Sequence, residues 1–217
     1  MTQKIHSFIL LAATLPALAA CEPTPAEPDA TNPQDVFFER LTLLCNKAYS
    51  GSLVSTQEAD AEMAGKPMIM HVTNCTRNEV YIPFHIGASD GTQDGTWDRS
   101  RTWIITRTDD GIRLKHRHRH EDGTLDAVTN YGGDTAGQGS ETRQEFPVDA
   151  ETIASFKAND LEQSVTNTWA VEISPPGKKD AKFAYELRRP AAAGGRHFRV
   201  EFDLSKPVDI PPQAWGE

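Results

Sequence analysis

The chain has 217 residues, and its 31 acidic against 22 basic side chains leave a formal charge of −9. That balance argues against nucleic-acid binding, because no global positive field exists to displace the counterions around phosphates. Beyond the N-terminal stretch no apolar run approaches the length of a membrane-spanning helix, and the remainder is long enough for one domain with a sizeable core.

The first 20 residues carry Lys4 and then the apolar run FILLAATLPALAA, too short to span a bilayer and placed where a secretory signal peptide belongs. Leu18-Ala19-Ala20-Cys21 resembles the lipobox of bacterial lipoproteins, which implies cleavage before Cys21 and lipidation of its thiol. Three cysteines are an odd number for an exported protein. Lipidating Cys21 leaves Cys45 and Cys75 as an even pair, expected to form a disulfide. Membrane attachment then rests on the lipid.

Residues 21–35 contain Pro23, Pro25, Pro28 and Pro33 among small and acidic residues, a composition for a tether rather than a core. At about 3.1 Å per residue it reaches about 40 Å from the membrane surface. Glu22 stands where an aspartate would resemble an inner-membrane retention signal, which favours the outer membrane, facing the periplasm. Residues 36–205 read as the folded domain and 206–217 as a C-terminal tail.

Asn32 as cap, Pro33 at the first helical position and Asp35 predict a helix whose apolar face carries Phe37, Leu41, Leu44 and Ala48. From Gly51 the pattern changes to period two. Strands are expected at 51–55, 67–73, 79–86, 101–108, 112–120, 125–131, 142–148, 165–174, 182–189 and 196–204. One more helix interrupts them, capped by Asp149, with Ile153, Phe156 and Leu161 on its apolar side. Ten short strands with short connections predict a mainly β protein: an antiparallel meander closing into a lipocalin-like, calycin-type barrel with an N-terminal helix and one further short helix. A curved two-sheet sandwich is the alternative.

Residues 99–135 gather aromatic, histidine and basic side chains between two Asp-Gly turn signals. Counting outward from Asp122-Gly123 pairs His116 with Thr129 and Leu114 with Tyr131. Counting from Asp110-Gly111 pairs His116 with Ile105 and His118 with Trp103. One face then carries Ile105, Ile112, Leu114, Trp103, Tyr131, His116 and His118, and its apolar members mark it as the inner face. The other carries Arg113, Lys115, Arg117 and Arg119, of which Asp126 can neutralise only Arg119 across the strands. That stripe is either a surface for an anionic partner or a solvated face balanced by carboxylates elsewhere.

Three readings of the histidines stand side by side. His116, His118 and His120 are candidate metal ligands, because alternate strand residues project imidazoles side by side. Trp103, His116, His118 and Tyr131 are candidate ligand-binding residues, lining a barrel mouth suited to a small hydrophobic or haem-like molecule. The third reading has the histidines simply hydrogen-bonded near a rim. No nucleophile elbow, zinc-protease helix motif or phosphate loop occurs, so no catalytic residue is assigned. The weak hydrolase alternative uses Asp134, in an expected turn at Gly132-Gly133-Asp134, as an acid/base partner of His116. The chain is expected to act as a binding module, with a structural envelope protein as the alternative from another class.

RSRTW (99–103), LKHRHRHEDGT (114–124), NYGGDT (130–135), RQEFP (143–147), SVTNTWA (164–170) and FRVEFDL (198–204) resemble a family of proteobacterial secreted proteins and lipoproteins. The resemblance runs from Cys45 to Leu204 and implies an envelope location. It implies no particular activity, cofactor or protein partner.

Overall fold

The first helix, α1 (Pro33–Thr42), begins where a side chain can satisfy its free amides: Asn32 Oδ1 accepts from Gln34 N at 2.9 Å. In the computed structural model, residues 32–88 and 97–217 are described. The expected signal peptide, Cys21 and residues 22–31 of the tether lie outside the described residues. Phe37, Phe38 and Leu41 of α1 are buried. Helix α1 stops before Leu44, and Ala48, expected on its apolar face, instead opens the first strand.

Ten strands follow: β1 (Ala48–Leu53), β2 (Met68–His71), β3 (Glu79–Ile86), β4 (Asp98–Thr108), β5 (Gly111–His118), β6 (Tyr131–Asp134), β7 (Arg143–Pro147), β8 (Thr168–Ile173), β9 (Lys182–Arg189) and β10 (Arg196–Asp203). They form one antiparallel sheet in the order β6-β5-β4-β3-β2-β1-β10-β9-β8-β7. Two meanders are thus joined where β1 pairs β10, and the nearly closed barrel leaves one seam, between β6 and β7.

Helix α2 (Ala150–Ala158), capped by Asp149 Oδ1 on Thr152 N at 2.8 Å, covers that seam. Thr152 Oγ1 accepts from Gly132 N at 2.8 Å and donates to Gly132 O at 3.0 Å, while Asp149 N donates to the same carbonyl at 3.0 Å. Gly133 lets the Pro147 carbonyl approach where a Cβ would collide with it. The glycine pair expected in a turn is therefore part of strand β6.

The expected strand 125–131 does not form. Asp126 Oδ1 bonds Val128 N at 2.8 Å, and Asn130 takes a left-handed φ of 54°. Both choices divert the backbone from a ladder. Arg119 pairs with Leu125 in an isolated bridge, and the ladder resumes with His116 opposite Tyr131 instead of Thr129.

On the other side of β5 the register also differs. Thr108 pairs with Gly111, so Asp109-Asp110 makes the loop, and His116 lies opposite Trp103 with His118 opposite Arg101. The displacement is two residues, an even number, so every side chain keeps its expected face.

Trp103 stacks between Phe84 and Tyr185 at centroid distances of 4.8 and 4.4 Å, with Phe183 at 6.0 Å behind them. Aromatic side chains thus fill the middle of the barrel, as is usual for small barrels. Helix α1 closes one end: Gln34 Nε2 donates to Thr135 Oγ1 at 2.9 Å and to Gly137 O at 3.0 Å, and the Arg107 guanidinium lies 4.3 Å over Phe38. A 3-10 turn, Glu58–Met63, covers part of the other end, where its buried Asp60 is paired with Arg196. Cys45, just after α1, is disulfide-bonded to Cys75 in the β2–β3 loop with Cα atoms 6.2 Å apart.

Three of the four members of the outer basic stripe are paired with carboxylates. Arg113 is bidentate on Asp134 at 2.6 and 2.9 Å, Lys115 meets Asp149 and Glu151 at 2.8 Å each, and Arg117 reaches Glu217 at 3.1 Å. Arg119 donates to Gly123 O at 2.7 Å rather than pairing with Asp126. A solvated, paired face describes this surface.

Candidate ligand site

Strand parity and the β4–β5 register place Arg101 directly opposite His118 on the inner face, at the end of the barrel away from α1. Tyr131 joins them from β6, its hydroxyl 3.0 Å from His118 Nε2. Tyr185 of β9 and Arg196 and Phe198 of β10 reach the same place from across the barrel.

His116 forms the floor. Its Nδ1 lies 2.9 Å from the Tyr131 carbonyl, which can only accept, so Nδ1 carries the proton and Nε2 accepts from the Tyr185 hydroxyl at 2.7 Å. Burial pushes the His116 pKa down to about 3. Burial, and then the Arg101 charge, takes His118 down to about 4. Burial raises Tyr131 to about 12 and Tyr185 well above its usual value. All four are neutral near pH 7, so the fixed charges of the site are those of its arginines, the carboxylates paired with them, and Asp126, which lines the lateral hollow.

Those arginines differ. Arg196 is engaged on both terminal nitrogens, by the buried Asp60 carboxylate and by Gln57 at 2.8 Å. Arg101 uses only Nη1, toward Asp98 and toward Ser100 Oγ at 3.1 Å. Among the described residues its Nε and Nη2 make no hydrogen bond, and neither does Nδ1 of His118.

Two hollows meet here. The mouth pocket, about 180 Å³, is lined by Met63, Phe84, Arg101, Arg196 and Phe198 above Trp103 and His116. A lateral hollow of about 330 Å³ runs under Phe156, Leu161 and Asn167. His118, Tyr131, Tyr185 and Leu187 line both. A larger hollow, about 500 Å³, is lined by serine, lysine and carboxylate side chains around Ser50, Lys182 and Asp203, and offers no comparable set of buried titratable groups.

Of the residues singled out in the sequence, His118 and Tyr131 line both hollows, while Trp103 and His116 are packed beneath the mouth pocket, 3% and 2% exposed. His120 lies apart, exposed and 4.0 Å from Asp126. The three histidines do not converge, and among the described residues no group of three or more His, Cys, Asp or Glu side chains could hold a metal. Asp134 is held by Arg113 on the outer face, which removes it from His116. Arg101, Tyr185 and Arg196 were not anticipated. Each had a local signal in its even spacing from apolar neighbours, Arg101 from Trp103, Tyr185 from Phe183 and Arg196 from Phe198, but none showed which residues the fold would bring together. Comparison with known protein families, curated proteins and solved structures gives no match to this chain.

Proposed function

We propose that the chain is a lipid-anchored, periplasm-facing envelope protein that binds a small ligand at the barrel mouth. The observation that carries this reading is the edge of Arg101 beside His118 and Tyr131, whose Nε and Nη2 have no protein partner among the described residues, at the rim of a packed interior. The Arg101 side chain is partly exposed, so a ligand entering the mouth can reach these groups. The volumes of about 180 and 330 Å³ fall below or near the lower limit of common ligand sites, which favours a molecule smaller than haem.

Anchoring through Cys21 supports a role at the membrane surface, with the Pro-rich segment as spacer. Native mass spectrometry of the exported protein tests the binding reading, with a small-molecule adduct as the expected result. Protein that carries nothing, and whose His118 and Tyr131 resonances respond to no member of a small-molecule panel, would sink it. The anchoring is tested separately: Cys21→Ala moves the protein out of the membrane fraction. The packed interior around Trp103 favours a second reading, a structural envelope protein without cargo.

A further inference from the structure

We infer that the mouth pocket is built for a small molecule with one carboxylate head and a short apolar body. The inference rests on the proposed ligand-binding role and specifies the chemistry of the ligand.

A guanidinium offers its Nε–H and one terminal N–H as a parallel pair that matches the two oxygens of a carboxylate. In Arg101 that pair is unused, because Asp98 and Ser100 both take Nη1. Asp98 also fixes the side chain from the other side, so the fork is held in place before a ligand arrives. Arg101 is opposite His118, whose free Nδ1 supplies a further polar contact beside the fork, with the Tyr131 hydroxyl on its other nitrogen.

The charges decide how many negative groups the ligand carries. Arg196 is matched by the buried Asp60, and Arg101 is matched by Asp98. The histidines are neutral and the Asp126 carboxylate lines the adjoining hollow, so no surplus of cations exists for a dianion such as a phosphate monoester. One carboxylate, held mainly by hydrogen-bond geometry, suits the site better. Around the fork, Met63, Phe84, Leu187 and Phe198 provide apolar walls, and the shared boundary at Leu187 leads toward the lateral hollow. A short alkyl or aryl body fits there.

The experiment is calorimetric titration of the full-length exported protein with hexanoate and with 1-hexanol. Hexanoate should bind at least tenfold more tightly, and Arg101→Gln should erase that difference. Arg101→Lys, which keeps the charge and loses the fork, should recover only part of it. Equal affinity of the wild-type protein for acid and alcohol overturns the carboxylate inference and leaves the binding role standing. Failure of both to bind, when another small molecule does, overturns it in the same way; a protein that binds no small molecule overturns both. The wild-type comparison decides the matter even if a variant does not fold.

Discussion

The hydroxyl of Tyr185 donates a 2.7 Å hydrogen bond to Nε2 of His116, inside the barrel wall and beneath the candidate site. The two residues belong to β9 and β5, so this bond ties together the two meanders across the interior. Removing the hydroxyl leaves a buried ring nitrogen with no partner. Tyr185→Phe is therefore expected to lower stability by about 1–3 kcal/mol in urea denaturation, with little change in the sheet signal of the folded state. A variant as stable as the parent would show that water or a rotated ring replaces the bond.

Stability should fall on acidification. His116, His118 and His85 have folded pKa values lowered to about 3, 4 and 4, in each case first by burial. The unfolded chain, titrating near 6.5, binds more protons than the folded one between those values. Their contribution is thus intact above about pH 6.5 and is lost as pH falls toward 4 and 3, by up to about 1.4 kcal/mol per pH unit for each histidine. Glu186 adds to the loss at lower pH. Burial opposes its charge, but Arg143 and its neighbours outweigh this and hold it at about 2, so its contribution disappears between about 4.5 and 2. Denaturation at pH 7.5, 5.5 and 4.5 measures the slope, and a flat profile would contradict these burial assignments.

The seam gives a matched pair of substitutions. A Cβ on Gly133 collides with the Pro147 carbonyl, whereas one on Gly137 meets nothing within 4 Å. Gly133→Ala should cost about 1–3 kcal/mol through forced separation of β6 from the β7–α2 connection, and Gly137→Ala should change little. Thermal melts of the two variants side by side make the comparison, and equal melting would remove the close-approach argument.

The Cys45–Cys75 bridge closes a loop with a sequence separation of 30. In the chain-entropy description that closure contributes about 3–4 kcal/mol. The double variant Cys45→Ser with Cys75→Ser should lose a comparable amount, read as a lower urea midpoint than the oxidised parent. An unchanged midpoint would mean that the unfolded chain is already compact in this region.

The strands of the second meander were legible because burial acts on their period-two pattern: Phe183, Tyr185 and Leu187 alternate along Lys182–Arg189, and Phe198, Val200 and Phe202 along Arg196–Asp203. The segment 125–131 misled because its alternation is overridden by two local events, the Asp126 side chain bonding its own backbone and Asn130 turning left-handed. Asp109-Asp110-Gly111 offers two alternative two-residue loops, and short-range rules do not choose between them. The inner face survived that ambiguity because the two registers differ by an even number. The exact neighbour of His118 did not, and Arg101 was missed with it. Arg196 was beyond reach for another reason: its state is set by Asp60, a partner 136 residues away.

The order of the strands also bears on how the molecule assembles. Among the described residues eight of the nine ladders join strands adjacent in the chain, and the exception pairs Gly51 of β1 with Phe202 of β10. Hairpins can zip locally on either side of that junction, but the ladder between the chain-distant strands must await a long loop closure. Residues such as Trp103 and Tyr185, contributed by opposite halves, find each other only at that stage. The pocket above them is therefore among the last features of the protein to come into existence.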